Sequence, residues 1–358
     1  MKRTTLAGLI MTALLLIGQT VSAETIKLGT LAPNNSPYYD ILRDLGEEWA
    51  KISNGSIRLR IYAGGVAGDD PDMVRKMRIG QLDAALVAGS GLYEIAHETK
   101  AIQLPMMFRD DDEWDYVRAQ IAGKLEKIYA AKGFRVLLWG DGGWVYLFTQ
   151  KPVVHPDDLK PLRLFVWAGD QDNLQAWKNL GYRAVPLAVN EIHSALHSGL
   201  INAYITTPLA ALSFQWFGLS KEMTDVKVVP LVGALVIAEK KWQAIPVEIR
   251  ERLVQSSQEA GKRFLVQMRQ HSAEAVKVMQ QHGLKIHTVP PDVLAEWNKR
   301  FRANYPTIMG ENVPPELVAE VERIRDEYRA ESTSLTGTRS NIIKLAAVPS
   351  PCASMRNG

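Results

Sequence analysis

The stretch Lys151-Pro-Val-Val-His-Pro-Asp-Asp-Leu-Lys-Pro-Leu-Arg-Leu-Phe-Val-Trp-Ala-Gly-Asp170 divides the chain in two, because a turn and a fresh buried strand stand back to back in it. His155-Pro156-Asp157-Asp158 has turn composition, and Leu162 to Trp167 is a short apolar run stopped by Gly169-Asp170. A second structural unit starts here. Phe165 and Trp167 stand two residues apart, so in a strand both side chains leave the face that Arg163 also uses. That face is the expected wall of a ligand cleft.

Ahead of this boundary, the chain opens with a segment foreign to the fold. Lys2-Arg3 supplies a positive start, Leu6 to Ile17 carries no charge, and Val21-Ser22-Ala23 has small residues where signal peptidase requires them. Residues 1–23 are therefore expected to be a cleaved signal peptide. As a membrane anchor the run is short of the roughly 20 apolar residues that span a bilayer. The expectation is an exported, soluble protein located in the periplasm.

With 358 residues and 46% hydrophobic content the chain can bury two cores, and domains of about 100 to 200 residues make two the default. Its single cysteine, Cys352, allows no intrachain disulfide, so stability must come from burial. A formal charge of +3 without a basic stripe gives nucleic acid no purchase.

Thr25 to Gly29 alternates as a first strand and runs into a loop at Pro33-Asn34-Asn35. Tyr39, Leu42, Leu45, Trp49 and Ile52 then recur at three and four after Ser36-Pro37, which predicts a capped amphipathic helix. Ile57 to Tyr62 reads as a second strand, Asp72 to Ile79 as a helix, and Leu82 to Val87 as a buried strand. This βαβαβ order predicts an open parallel sheet covered on both faces. The glycine loop Gly64-Gly-Val-Ala-Gly68 lacks the Lys-Ser/Thr of a phosphate loop, and Asp69-Asp70 would repel a phosphate, so it reads as a tight turn.

Leu31-Ala-Pro-Asn-Asn-Ser-Pro37, Ser53-Asn54-Gly55, Tyr62-Ala-Gly-Gly65, Val74-Arg-Lys-Met-Arg-Ile-Gly-Gln-Leu-Asp83 and Leu104-Pro-Met-Met-Phe108 follow one another in the first half. Lys151-Pro-Val153, Asp158-Leu-Lys160, Val185-Pro-Leu187 and Glu191-Ile-His-Ser-Ala-Leu-His-Ser-Gly199 continue the series. In this ordered series the chain resembles the substrate-binding proteins of tripartite ATP-independent periplasmic (TRAP) transporters. The resemblance implies an α/β, type II-like bilobed periplasmic binding fold, with two parallel-sheet lobes joined by a hinge and a long helix behind. It also implies a small-molecule ligand enclosed on closure and integral membrane permease subunits as partners. The chain agrees: Leu137 to Gly140 and Val228 to Gly233 are apolar strands placed for crossing between lobes, and Glu248 to Gln281 is one long helical stretch.

Expected boundaries are 24–143 for the first lobe, with about 231–270 returning to it, and 144–230 for the second, with about 285–330 packing on it. Helices are expected from Val289-Pro-Pro-Asp292 to Tyr305 and from Pro314-Pro-Glu316 to Tyr328. Residues 331–358 lose periodicity and are expected to form a disordered tail.

The chain departs from the resemblance at one place. Members of that family usually carry an Arg that pairs two-pronged with a ligand carboxylate. Aligned on Asp158-Leu-Lys160, that position here is Phe165, and the place of a second family Arg falls at Val145. Trp144, Tyr146, Phe165 and Trp167 are therefore expected to hold a neutral, aromatic or apolar ligand, with Val145, Arg163, Glu191 and Tyr204 as further candidate contacts. The expected role is delivery of that ligand to a TRAP-type permease; the alternative is a lipid- or hydrophobe-binding component of an export or trafficking system.

Enzyme readings find little footing. His193 and His197 have a helical metal-ligand spacing, yet Ser194 stands where a metalloprotease needs its Glu. Gly89-Ser90-Gly91 is not a nucleophile elbow, and Cys352 is terminal. Neither catalysis nor a cofactor or metal is expected.

Overall fold

The computed structural model describes residues 23–346, so the expected leader lies, but for Ala23, outside the described residues. Strands β1 (Glu24–Thr30), β2 (Ile57–Tyr62) and β3 (Ala84–Ala88) run parallel, with Glu24 opposite Ile57 and Leu28 opposite Ala84. Between β1 and β2, helix α1 (Pro37–Ile52) starts where Ser36 Oγ accepts the Tyr39 N–H, and it buries Leu42, Leu45 and Trp49. Helix α2 (Asp70–Arg78) follows the glycine loop, whose Gly64, Gly65 and Gly68 all have positive φ. The loop is thus the tight turn its composition predicts.

A second parallel group is made by β5 (Arg163–Trp167), β6 (Arg183–Leu187) and β7 (Ala203–Thr206), with the short helices α5 (Gln171–Asn179), α6 (Ile192–Ser198) and α7 (Pro208–Ser213). Two long strands join the groups. β4 (Phe134–Thr149) and β8 (Glu222–Ala238) are antiparallel to each other, while β8 also pairs β3 and β4 also pairs β7. The result is one nine-stranded sheet in the order β2-β1-β3-β8-β4-β7-β5-β6, with β9 (Lys285–Thr288) added beside β8. The crossing segments read from Leu137–Gly140 and Val228–Gly233 lie in the first half of β4 and the middle of β8. A strand of 16 residues is about 50 Å long at ~3.3 Å per residue, enough to belong to both groups.

The middle of β4 is irregular. Its register against β8 shifts between Asp141 and Trp144, and Gly143 has φ 88. Asp141, almost fully buried, accepts hydrogen bonds from Gly143 N (2.7 Å), Trp114 Nε1 (2.9 Å) and Arg269 Nη2 (2.9 Å). Arg269 belongs to α9 (Val247–Gln281), the 35-residue helix behind the sheet, and it also grips both oxygens of Asp115 at 2.8 Å. A buried carboxylate with this many donors is satisfied, so the bend in β4 is pinned to the helix.

Helix α3 (Gly89–Ile95) and a 3₁₀ turn (His97–Ile102) follow β3, and α4 (Asp111–Ala131) precedes β4. Helix α8 (Glu239–Gln243) leads into α9. At the other end, α10 (Pro291–Ala303) buries Val293, Trp297 and Phe301 with Leu164 and Trp177 of the second group. The chain then departs from expectation. After α11 (Tyr305–Met309), Leu317, Val318, Val321 and Ile324 of α12 (Pro315–Ala346) pack with Trp114, Val117 and Ile121 of α4, on the first half rather than the second. Their helical spacing makes a stripe that matches the one on α4. Helix α12 also continues to Ala346, past Arg329 where a tail is expected, because extending an existing helix costs little. Residues 347–358 of that expected tail lie outside the described residues.

Candidate functional site

Between the two parallel groups, at the ends of β3 and β5, lies a cavity of about 220 Å³. Such crevices beyond the carboxyl ends of strands are the usual ligand sites of α/β sheets. Its apolar wall includes Leu31, Val145, Phe165, Trp167, Trp216 and Phe264. The polar part of the wall includes Asp70, Ser90, Lys100, Gln103 and Asp170. Phe165 and Trp167 meet with ring centroids 5.8 Å apart, on the face opposite Leu164 and Val166, which fill the core behind. Trp167 approaches Gly89 at the end of β3, so the two halves are close here.

Polar contacts join the two halves beside the cavity. Lys100 Nζ, from the 3₁₀ turn, lies 3.1 Å from Asp170 Oδ1 and 2.7 Å from Asp172 Oδ2 at the start of α5, and it stands over the Tyr93 ring at 5.1 Å. Asp69 Oδ2 accepts the Val189 N–H at 3.3 Å, and the Tyr38 hydroxyl meets Thr207 Oγ1 at 3.3 Å. Burial shifts the groups near the wall toward their neutral forms. It pushes the Asp70 carboxyl well above the usual range, against a hydrogen bond from Ala88 N. The Tyr38 hydroxyl rises to about 12, again mainly through burial. The Tyr93 hydroxyl rises by burial first and by the charge of Asp170 second.

Of the residues singled out in the sequence, Val145, Phe165 and Trp167 stand on the cavity wall. The other five do not, and each has an occupation elsewhere. Alternation along β4 turns Trp144 and Tyr146 away from Val145. Trp144 Nε1 donates to Asp111 Oδ1 at 3.0 Å, under Lys227. Tyr146 is half-buried with its hydroxyl pushed up to about 12 by burial and then by Asp225 and Asp111. Arg163 shares a strand face with Phe165 but sits at the far end of β5, where its Nε donates to Gly199 O (3.0 Å) and Leu200 O (3.1 Å) below α6. Glu191 is exposed and accepts from Ala188 N at 2.8 Å. Tyr204 is wholly buried, stacked on Phe148 at 5.4 Å and edge-on to Trp216 at 5.5 Å.

Sequence reasoning missed Asp70, Ser90, Lys100 and Gln103. Asp69-Asp70 and Gly89-Ser90-Gly91 did stand out in the sequence, but only as arguments against phosphate binding and nucleophilic catalysis. Lys100 and Gln103 carry no local signal at all, since their places depend on α5 across the cavity. His193 and His197 are exposed on α6, and among the described residues no group of three or more His, Cys, Asp and Glu is placed to hold a metal ion. Also among the described residues, no helix is long and apolar enough to cross a membrane.

Residues 28–312 match the DctP family, described as bacterial extracellular solute-binding protein, family 7. A solute-binding protein of Chromohalobacter salexigens is 24% identical over 316 residues, 87% of this chain and 91% of that one. A TRAP periplasmic solute-binding protein of Citrobacter koseri, solved with bound D-glucuronate, superposes with a TM-score of 0.75 at 21% identity, over 83% of this chain and 98% of its own. One from Sulfurospirillum deleyianum, solved with bound succinate, gives 0.76 at 21% identity, over 84% and 99%. These relatives are solute-binding proteins and not enzymes, and they share the bilobed periplasmic binding fold. With its family signature spanning both halves of the sheet, the chain belongs to the DctP family of TRAP solute-binding proteins, a periplasmic family that binds small molecules and works with membrane permease subunits.

Proposed function

We propose that this chain is an exported receptor that encloses a small ring-bearing or apolar solute between its two halves and hands it to a TRAP-type permease. The lobes are 24–143 and 144–230, the hinge lies in the middles of β4 and β8, and residues 1–23 are removed on export. The observation that carries the ligand reading is the wall of the cavity. Phe165 and Val145, at the places where the family resemblance puts anion-binding arginines, both face it. Among the described residues lining it, Lys100 is the only Lys or Arg, and it is held by Asp170 and Asp172. A carboxylate buried there would lack a free cation, at a cost of several kcal/mol. An aromatic ring placed against Phe165 and Trp167 would gain about 1.5 to 3 kcal/mol from burial.

A second reading has its own support. The Citrobacter and Sulfurospirillum proteins hold carboxylates, and neither likeness favours a neutral ligand for this chain. In that reading Lys100 exchanges an aspartate for the ligand acid. The test is to denature the purified protein, identify the released molecule by mass spectrometry, and follow its binding by thermal shift, since a ligand of the folded state raises the melting temperature. A ring-bearing molecule whose shift is lost in Phe165→Ala supports the first reading. A small acid whose shift survives Phe165→Ala and is lost in Lys100→Met establishes the second. Genes for TRAP membrane subunits alongside would support uptake, whereas a lipid-export operon would overturn it.

A further inference from the structure

The cavity wall carries four polar groups that are nine-tenths or more buried and have an atom without a hydrogen-bond partner: Asp70 Oδ1, Ser90 Oγ, Gln103 Nε2 and, on the second half, Trp177 Nε1. Buried polar atoms are nearly always paired, and each one left alone costs about 1 to 3 kcal/mol. Asp70, Ser90 and Gln103 come from the first half of the chain and face the cavity together. Asp70 is oriented by its other oxygen, which accepts the Ala88 N–H at 3.0 Å. The chain packs so closely behind it that a Cβ on Gly91 would lie 2.7 Å from Asp70 Cβ. Gly91, next to Ser90 in the chain, is thus packed against Asp70. Gln103 closes the 3₁₀ turn that carries Lys100, its backbone N–H donating to Lys100 O at 2.9 Å.

We propose that Asp70, Ser90 and Gln103 form a head-group subsite for an uncharged solute head that both accepts and donates hydrogen bonds, of the carboxamide class. This deepens the ring-bearing reading above and rests on it. Gln103 Nε2 can only donate, so it demands an acceptor such as a carbonyl oxygen. Ser90 can serve either side, and Asp70 Oδ1 takes the amide N–H. A carboxylate head fits poorly, because Asp70 and Asp170 both border the cavity and Lys100 is already engaged. The ring of such a solute would then reach Phe165 and Trp167 across the cavity.

The test uses the mature full chain and three probes that share a ring and differ in the head: phenylacetamide, phenylacetate and phenethylamine, each titrated by calorimetry. The proposal expects phenylacetamide to bind at least tenfold more tightly than the other two. Asp70→Asn, Ser90→Ala and Gln103→Leu should each weaken it by tenfold or more. Ser90→Ala and Gln103→Leu should leave the melting temperature of the ligand-free protein unchanged or raised, because no existing hydrogen bond is lost. A drop of several degrees in those two variants would show that the groups are paired within the protein, and it overturns the subsite. If Phe165→Ala removes phenylacetamide binding while all three subsite variants bind normally, the subsite falls and the ring reading stands. Tightest binding of phenylacetate or phenethylamine overturns the uncharged head, and no binding by any probe at millimolar concentration overturns the ring reading together with the subsite.

Discussion

Replacing Lys100 by Met tests whether its ion pairs across the cavity hold the two halves together. The side chain is 3% exposed, its partner Asp170 is 6% exposed and Asp172 is 35% exposed. Met preserves the stem volume and deletes the charge, so the loss is electrostatic. Removing one member of a buried pair costs about 3 to 5 kcal/mol, because the remaining charge stays buried without a partner. Asp170 keeps the Asn173 N–H at 3.2 Å, and Asp172 can turn to water, which places the cost near the low end, about 3 kcal/mol. At ~2 °C per kcal/mol the melting temperature should fall by about 6 °C. Calorimetry of Lys100→Met, Asp170→Asn and the double variant completes a cycle, in which the double variant should recover most of the loss as a coupling of about 2 kcal/mol. The pair ties the 3₁₀ turn to α5 across the cavity. A Lys100→Met protein that melts within 1 °C or so of the parent would refute the reasoning, for it would mean that the ligand-free protein does not form this contact in solution.

Arg163→Ala should lower stability by about 1 kcal/mol through loss of its bonds to Gly199 and Leu200 and leave ligand-induced thermal shifts unchanged; a lost shift would return Arg163 to the binding site. Gly91→Ala should cost about 1 to 3 kcal/mol in urea unfolding, since the new Cβ would sit 2.7 Å from Asp70 Cβ and 2.8 Å from Val87 Cβ; an unchanged midpoint would show that α3 moves freely. Tyr38 and Tyr146 have hydroxyls raised from 10.0 to about 12, so the stability from their buried neutral phenols is complete below pH 10 and lost as pH climbs through about 12. Absorbance at ~295 nm followed with circular dichroism should show a late tyrosinate step coincident with unfolding, whereas full ionisation near the ordinary tyrosine value of about 10 in a folded protein would contradict it.

Much of the fold is legible in local pattern. The three-and-four spacing of Leu42, Leu45 and Trp49 behind Ser36-Pro37 is sufficient for α1, and the apolar run at Leu162 to Trp167 is sufficient for β5. The ordered family motifs add the bilobed architecture. The candidate site was legible only where one strand determines it: Phe165 and Trp167 share a face by the period of two, and both reach the cavity. On β4 the same period separates the candidates. Alternation puts Val145 on the wall and Trp144 and Tyr146 behind it, so the three neighbours cannot all be contacts.

The chain by itself determined the elements, their order and the family, because helix and strand periods and turn chemistry act over a few residues. Tertiary structure alone decided the chemistry of the cavity. Lys100 meets Asp170 and Asp172 across some 70 residues of sequence, Asp70 is buried although it is ionisable, and α12 packs on α4 from the far end of the chain. Burial and pairing at that range depend on how the two halves are set against each other by β4, β8 and α9. No local pattern of residues carries that information.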